Sequence, residues 1–312
     1  MADILFVRQE WWETIIAGYL FLGGLAGVMV PVAYYYWVKE KNKILNLIGG
    51  LSAFIGIIVG IFLLILDLGL PSHAIEMFIS PRLNLGSWMT IGTYIIVLFT
   101  LFTGLYTIPF LPWFKIIGGK FTRKQITILG GIASILGLAT AAYTGFLLGA
   151  AKGIQFWNTP ILPILFVASA TSSALCFYCA VAAPILLKVY PEFKDIAARV
   201  RLQLQRFDLY VMLGELFIIF VYLNIALWGL PGTRESALLL INGSLAPLFW
   251  IGVVLIGLVI PILILWSYTL RIEDERQEVV IASAIAGWMV LIGAFILRYV
   301  ILAAGITAVP LI

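Results

Sequence analysis

Eight side chains carry chemistry that is costly to hold in so apolar a sequence. Tyr19, Tyr143, Glu215 and Arg298 lie within long apolar runs, and Glu13, Asp67, His73 and Asp208 stand at or near the edges of such runs. Placing a polar or ionisable group in hydrocarbon costs on the order of 3 kcal/mol, so each needs a partner, water or a function. The phenols, the imidazole and two of the carboxyls offer hydrogen-bond partners to the oxygens of a flat ring, and a route for its protons. Asp208, Glu215 and Arg298 are of another kind. A carboxyl or guanidinium deep in a membrane is neutralised, paired, or part of a proton path.

The elements that must position these groups are membrane helices. The chain has 312 residues, of which 63% are hydrophobic and 11% charged, with mean hydropathy +1.11. That much apolar surface cannot be hidden inside one water-soluble core. Eight runs, near 12–38, 44–68, 86–110, 126–150, 160–187, 209–229, 248–270 and 279–304, are long enough to cross about 30 Å of hydrocarbon as helices. The expected fold is therefore an all-α integral membrane protein. Two four-helix bundles are expected, with residues 1–187 holding helices one to five, of which one to four make the first bundle, 188–208 forming a basic cytoplasmic loop, and 209–312 holding helices six to eight. The first ten residues show no cleavable signal, so the first helix is expected to be retained.

The connections after the odd-numbered helices hold fourteen Lys and Arg residues, whereas the opposite side holds only Arg8, Arg82, Lys152 and Arg234. By the positive-inside rule the odd connections are cytoplasmic and both termini extracytoplasmic. The same rule accounts for the net charge of +4 without nucleic acid. No connection is long enough for a separate soluble domain, so substrate chemistry in water would belong to another protein.

Depth along each helix then sorts the polar groups. Tyr143 falls in the outer third of helix four, Asp67 closes helix two at the outer boundary, Glu13 and Tyr19 enter helix one from that side, and His73 lies in the next outer connection. Polarity gathered at the outer face, beside apolar and small residues, suits a quinone site. The plainer reading of each is an interfacial tyrosine, a solvated histidine or a helix-end carboxylate. On helix six, Asp208, Met212, Glu215, Ile219 and Tyr222 share one face, with Glu215 about 10 Å past the expected cytoplasmic end. Structural pairing and proton relay both fit that carboxyl. Arg298 needs a partner that spacing does not name. The one histidine cannot ligate a pair of bis-histidine haems, so no haem is expected. Cys176 and Cys179 cannot by themselves hold an iron–sulfur cluster and read as small buried residues; no metal site is expected.

Several stretches together resemble the NrfD/PsrC family of membrane subunits of polysulfide, nitrite, tetrathionate and related reductases. They are Trp12 with Tyr19-Leu20-Phe21-Leu22-Gly23-Gly24-Leu25-Ala26-Gly27, Asp67-Leu68-Gly69-Leu70-Pro71, Ser87-Trp88-Met89-Thr90-Ile91-Gly92, Tyr143-Thr144-Gly145-Phe146-Leu147-Leu148, Trp157-Asn158-Thr159-Pro160 with Pro163-Ile164-Leu165-Phe166, and Leu297-Arg298-Tyr299. The order and spacing of these pieces across residues 12–300 carry the resemblance. It implies eight helices in two bundles in the cytoplasmic membrane of a prokaryote, without haem, binding menaquinone or ubiquinone near the outer face. It also implies a ferredoxin-like iron–sulfur subunit on the extracytoplasmic side, wired to a catalytic subunit that is often a molybdenum enzyme. The family's helix-four tyrosine falls on Tyr143, its acidic residue closing helix two on Asp67, and Tyr19 stands where some members have a quinone-contacting histidine.

Two other classes remain. A secondary transporter would also use intramembrane Glu215, Asp67 and Arg298, although transporters usually show inverted repeats and interrupted helices. A passive anchor would dock a complex and bind no quinone.

Overall fold

The computed structural model describes residues 4–9, 14–67, 87–116, 121–182, 184–185, 194–269 and 277–310. Among them are eight helices long and apolar enough to cross a membrane. With the short elements between them, the order is β1 (Ile4–Arg8), α1 (Thr14–Glu40), α2 (Lys43–Asp67), α3 (Trp88–Thr107), α4 (Pro112–Ile116), α5 (Arg123–Gly149), α6 (Ile161–Phe177), α7 (Lys194–Leu227), α8 (Pro231–Ile241), a seventh span made of a π-helix (Leu248–Val259) and α9 (Ile260–Thr269), α10 (Gln277–Ala303) and β2 (Ile306–Pro310). Seven of the eight spans match the apolar runs of the sequence to within about five residues, the sixth beginning earlier, at Ala198, and large side chains such as Ile135, Phe217 and Leu263 remain on the outside as lipid-facing surface.

Local chemistry sets the helix boundaries. Lys41 takes a positive φ of 54° between α1 and α2, and the Asn42 side chain then accepts from the Ile44 and Leu45 N–H groups to cap α2. A capping box opens α5: Thr122 Oγ1 accepts from Gln125 N, and Gln125 Oε1 accepts from Thr122 N.

The chain forms two compact units, Gly18–Leu147 and Leu148–Ile312 together with Met1–Ala17. The boundary drawn from the sequence at residue 187 does not coincide with this partition, in which α6 belongs with the C-terminal helices. In the first unit α1 and α5 meet backbone to backbone, because Gly27 and Gly137 leave no room for a Cβ on either side. In the second, Gly257 of the π-helix and Gly293 of α10 do the same. The termini pair in that unit: β1 and β2 form an antiparallel ribbon from Ile4↔Pro310 to Arg8↔Ile306. It is tied to the end of α10 by Arg8 Nε donating to Ala303 O at 2.7 Å and Gln9 Nε2 donating to Leu302 O at 2.9 Å.

The structure departs from the sequence expectation in two places. The ribbon is a strand pair in a chain expected to be wholly helical, formed where Ile4, Val7, Ile306, Thr307 and Val309 put β-branched residues outside the spans. The stretch 188–208, expected to be a loop, is helical from Lys194 onward, so α7 runs for 34 residues. From Lys194 to Leu213 it contains no glycine or proline and is rich in Ala, Leu, Gln and Arg, all good helix formers. Glu215 is therefore not about 10 Å from the start of its helix but about 30 Å from it.

Candidate functional site

Within Gly18–Leu147 the candidate site is a cluster of uncharged side chains near one end of the helices. Tyr19 is one turn and a half into α1, and Tyr143 comes about as far before the end of α5. Both are buried, Tyr19 completely. The Tyr19 ring packs over Gly60 of α2, at 3.6 Å from where a Cβ would stand, and against Gly23 of its own helix, which the Thr144 methyl also approaches. The Tyr143 ring and hydroxyl occupy the space a Cβ would fill at Gly92 of α3. Glycines on three helices thus open a slot for two phenols whose hydroxyls lie within electrostatic reach of each other. The Tyr19 hydroxyl is shut away from solvent and has no hydrogen-bond partner among the described residues. An unmade bond of that kind costs about 1–3 kcal/mol. Beside the slot, Trp88 and Phe146 stack at 4.8 Å with their planes 3° apart. Asp67 ends α2 half-buried, one turn beyond Leu63, which packs on Gly18. Glu13 and His73 lie outside the described residues.

Within Leu148–Ile312 the buried polar groups are charged. Arg298 on α10 is fully buried; Nη1 donates to Ala294 O at 2.8 Å and to Ser169 Oγ at 3.2 Å, Nη2 donates to Phe166 O at 3.4 Å, and the guanidinium stands 5.3 Å from the Phe166 ring centre. This supplies the carbonyl cluster that a buried arginine requires. Glu215, also buried, lies beside Ser169 and within electrostatic reach of Arg298. Next to it is a narrow crevice walled by Val253, Gly257, Gly293 and Ala294. Two turns back along α7, Asp208 accepts a hydrogen bond from the Cys176 thiol, Sγ to Oδ2 at 2.9 Å, and Arg201 is buried about two turns further on. At the far end of the same helix face, the Tyr222 hydroxyl donates to Phe156 O at 2.8 Å.

The sequence-derived candidates thus fall into two sets, Tyr19 with Tyr143 and Asp208 with Glu215 and Arg298. Sequence reasoning misses Gly92, Cys176, Ser169 and Ser172. Gly92 is visible in the sequence as the last residue of the Ser87–Gly92 stretch. The three α6 residues are legible there only as positions three, four and seven apart, a helical face that nothing in the sequence pairs with α7. Among the described residues no three His, Cys, Asp or Glu side chains gather as a metal site.

Residues 6–310 match the family model described as "Polysulphide reductase, NrfD". The C subunit of the polysulfide reductase of Wolinella succinogenes is 31% identical to this protein, over 96% of it and 95% of the relative. Protein NrfD homolog of Haemophilus influenzae is 28% identical, and protein NrfD of Escherichia coli 27%, each over 94% of both sequences.

Proposed function

The chain belongs to the NrfD polysulphide reductase family, a multi-pass protein of the prokaryotic plasma membrane, and we propose that it serves as the quinone-handling membrane subunit of a respiratory redox complex. The observation that carries this reading is the Tyr19 hydroxyl, buried and unpartnered beside Tyr143 in a slot opened by Gly23, Gly60 and Gly92. The residues present fit a quinone. Two phenols can each donate to one of its oxygens, apolar and aromatic walls suit a ring and tail, and Asp67 at the end of α2 can pass protons at the rim. His73 and Glu13 belong to the proposal as further rim groups. When bound, a quinone supplies two-electron, two-proton redox chemistry. The protein's own residues orient the ring through Tyr19 and Tyr143 and exclude water by packing.

The electrons would be exchanged with an iron–sulfur subunit on the extracytoplasmic face, and through it with a catalytic subunit of the molybdenum kind that acts on the terminal substrate. The distribution of Lys and Arg favours an extracytoplasmic position for both termini and for the Tyr19–Tyr143 end of the helices. Asp208, Glu215 and Arg298 form the proton route of the second unit, where a buried carboxyl pair and a guanidinium offer a charged path through an apolar helix bundle.

A photoreactive quinone analogue tests the site. In the purified complex it should label α1 or α5 near Tyr19 and Tyr143, and excess quinol should suppress the labelling. Labelling that quinol does not compete, or that is confined to the lipid-facing surface, overturns the reading and leaves a passive anchor. Reporter fusions at Ile312 that are active only in the cytoplasm would reverse the orientation.

A further inference from the structure

The proposed proton route has a gap. Asp208 and Glu215 are seven residues apart on one face of α7, which is two helical turns or about 10 Å. Neither carboxyl can hand a proton directly to the other across that distance. The facing surface of α6 holds three side chains at the same repeat: Ser169, Ser172 and Cys176. All three are buried, the serines completely. The two helices pair in opposite chain order. Cys176 donates to Asp208 at 2.9 Å, Ser172 sits beside Asp208, and Ser169 sits beside Glu215 while accepting from Arg298 at 3.2 Å. Ser172 Oγ and Asp208 Oδ1 are both buried and neither meets hydrogen-bond geometry with a described residue, so each keeps bonding capacity inside the bundle. Just past Cys176 the α6 helix passes into a π-turn, Tyr178–Ala182, a local loosening that often accompanies functional positions.

We infer that Cys176, Ser172 and Ser169 are the rungs that relay protons between Asp208 and Glu215. This rests on the reading of Asp208, Glu215 and Arg298 as a proton route and names the side chains that complete it. Hydroxyls and thiols suit the task because each can donate and accept at once. In one concerted step a protonated Glu215 gives its proton to Ser169 Oγ, each rung passes its own proton to the next, and the Cys176 thiol gives its proton to Asp208 Oδ2. Neither thiolate nor alkoxide is left, and the net change is one proton moved from the Glu215 carboxyl to the Asp208 carboxylate. Rungs three or four residues apart have Cβ atoms about 5–6 Å apart, within the span of a single bridging water. At the other end Ser169 exchanges with Glu215, and Arg298 holds the serine oxygen in place through its Nη1. The plainer reading of Cys176, a small buried residue, accounts for its burial. It does not account for the thiol aimed at a buried carboxyl.

The test uses the intact complex in sealed vesicles, reading charge moved across the membrane per electron passed to or from a water-soluble quinone analogue. Glu215→Gln, Cys176→Ala, Ser172→Ala and Cys176→Ser are compared. The expected pattern is a loss of at least fivefold in charge per electron for Glu215→Gln, Cys176→Ala and Ser172→Ala, with Cys176→Ser close to wild type because oxygen replaces sulfur as donor and acceptor. If Glu215→Gln abolishes charge movement while Cys176→Ala and Ser172→Ala move as much as wild type, the rungs are wrong and the route stands. If Glu215→Gln itself moves wild-type charge, the route and the rungs fall together. Should Cys176→Ala not assemble, Ser172→Ala and Cys176→Ser decide the same question, since a packing role predicts no loss for the first and no specific rescue by the second.

Discussion

The two units hide polar groups of opposite kinds. In Gly18–Leu147 the buried polar residues described are uncharged: Asn46, Thr103, Thr107, Ser134, Thr140 and Thr144, together with the phenols of Tyr19, Tyr36, Tyr106 and Tyr143. In the unit of Leu148–Ile312 and the N-terminal segment they include Arg201, Asp208, Glu215 and Arg298. Neutral hydroxyls in an apolar slot can hold a neutral ligand at small cost, because a phenol is desolvated far more cheaply than an ion. Buried ions are expensive wherever they are placed and are kept where charge itself is the cargo. Under the proposed function, binding belongs to one unit and proton movement to the other, and substitutions of matched size should therefore fail in different ways.

The largest effect is expected from Arg298→Met, which keeps much of the side-chain volume but leaves Glu215 facing an apolar wall. Removing one partner of a buried charged cluster costs about 3–5 kcal/mol. The amount of assembled complex and its thermal inactivation midpoint should both fall, and Arg298→Met with Glu215→Gln together should recover a large part of the loss. Wild-type assembly of the single variant would show that Arg298 is not what neutralises this region. Next in size is Gly92→Ala. The added methyl would occupy the space of the Tyr143 ring, and overpacking of this kind costs about 1–3 kcal/mol. With the phenol displaced, KM for quinol should rise about tenfold or more. Gly214, next to Glu215 in the other unit, has no atom within 4 Å of where a Cβ would stand, so Gly214→Ala should be silent. Equal effects of the two glycine substitutions would dissolve the contrast between the units.

Tyr143→Phe keeps the ring in the slot and deletes one donor. A hydrogen bond of this kind contributes about 1 kcal/mol, more if the partner is left buried, so quinol should bind roughly five- to thirtyfold more weakly with assembly unchanged. Saturation kinetics on assembled complexes check this. Wild-type kinetics would remove Tyr143 from the site and leave its small-residue surroundings as helix packing.

Some of this can be read from residue order alone and some cannot. The spans are visible because apolar runs of about 20 residues have few other uses. Tyr19 and Tyr143 stand out by depth, since helix length converts directly into position in the bilayer. The start of α7 lies earlier than the sequence suggests because Arg199, Arg201 and Arg206 look like a solvated loop, although their neighbours are good helix formers and Arg201 is buried. Cys176 looks inert in the sequence because two thiols cannot hold a cluster; its bond to Asp208 joins residues 32 positions apart and appears only when α6 and α7 are brought face to face. Gly92 carries no chemistry of its own. Its role is the absence of a side chain opposite Tyr143, which is a property of the packed bundle.

Tyr19→Phe has the smallest expected effect and is the most discriminating, because its sign differs from that of the matched change at Tyr222 in the other unit. Tyr19 and Tyr222 are both buried phenols, but Tyr222 donates to Phe156 O at 2.8 Å whereas the Tyr19 hydroxyl has no partner among the described residues. Replacing Tyr222 with Phe deletes a made bond and strands a buried carbonyl, which should destabilise the complex by about 1–2 kcal/mol and lower its inactivation midpoint. Replacing Tyr19 with Phe removes a hydroxyl that is already unsatisfied, so the quinone-free complex should be unchanged or up to about 1 kcal/mol more stable. With quinol present the order reverses for Tyr19. If its hydroxyl bonds a quinone oxygen, Tyr19→Phe should weaken binding about fivefold and reduce the stabilisation that added quinol confers. Thermal inactivation of both variants, with and without saturating quinol, separates these cases. A Tyr19→Phe complex that is destabilised in the absence of quinol and gains as much from quinol as wild type would mean that the hydroxyl serves the fold, and that the neutral unit has no unmet hydrogen bond waiting for a ligand.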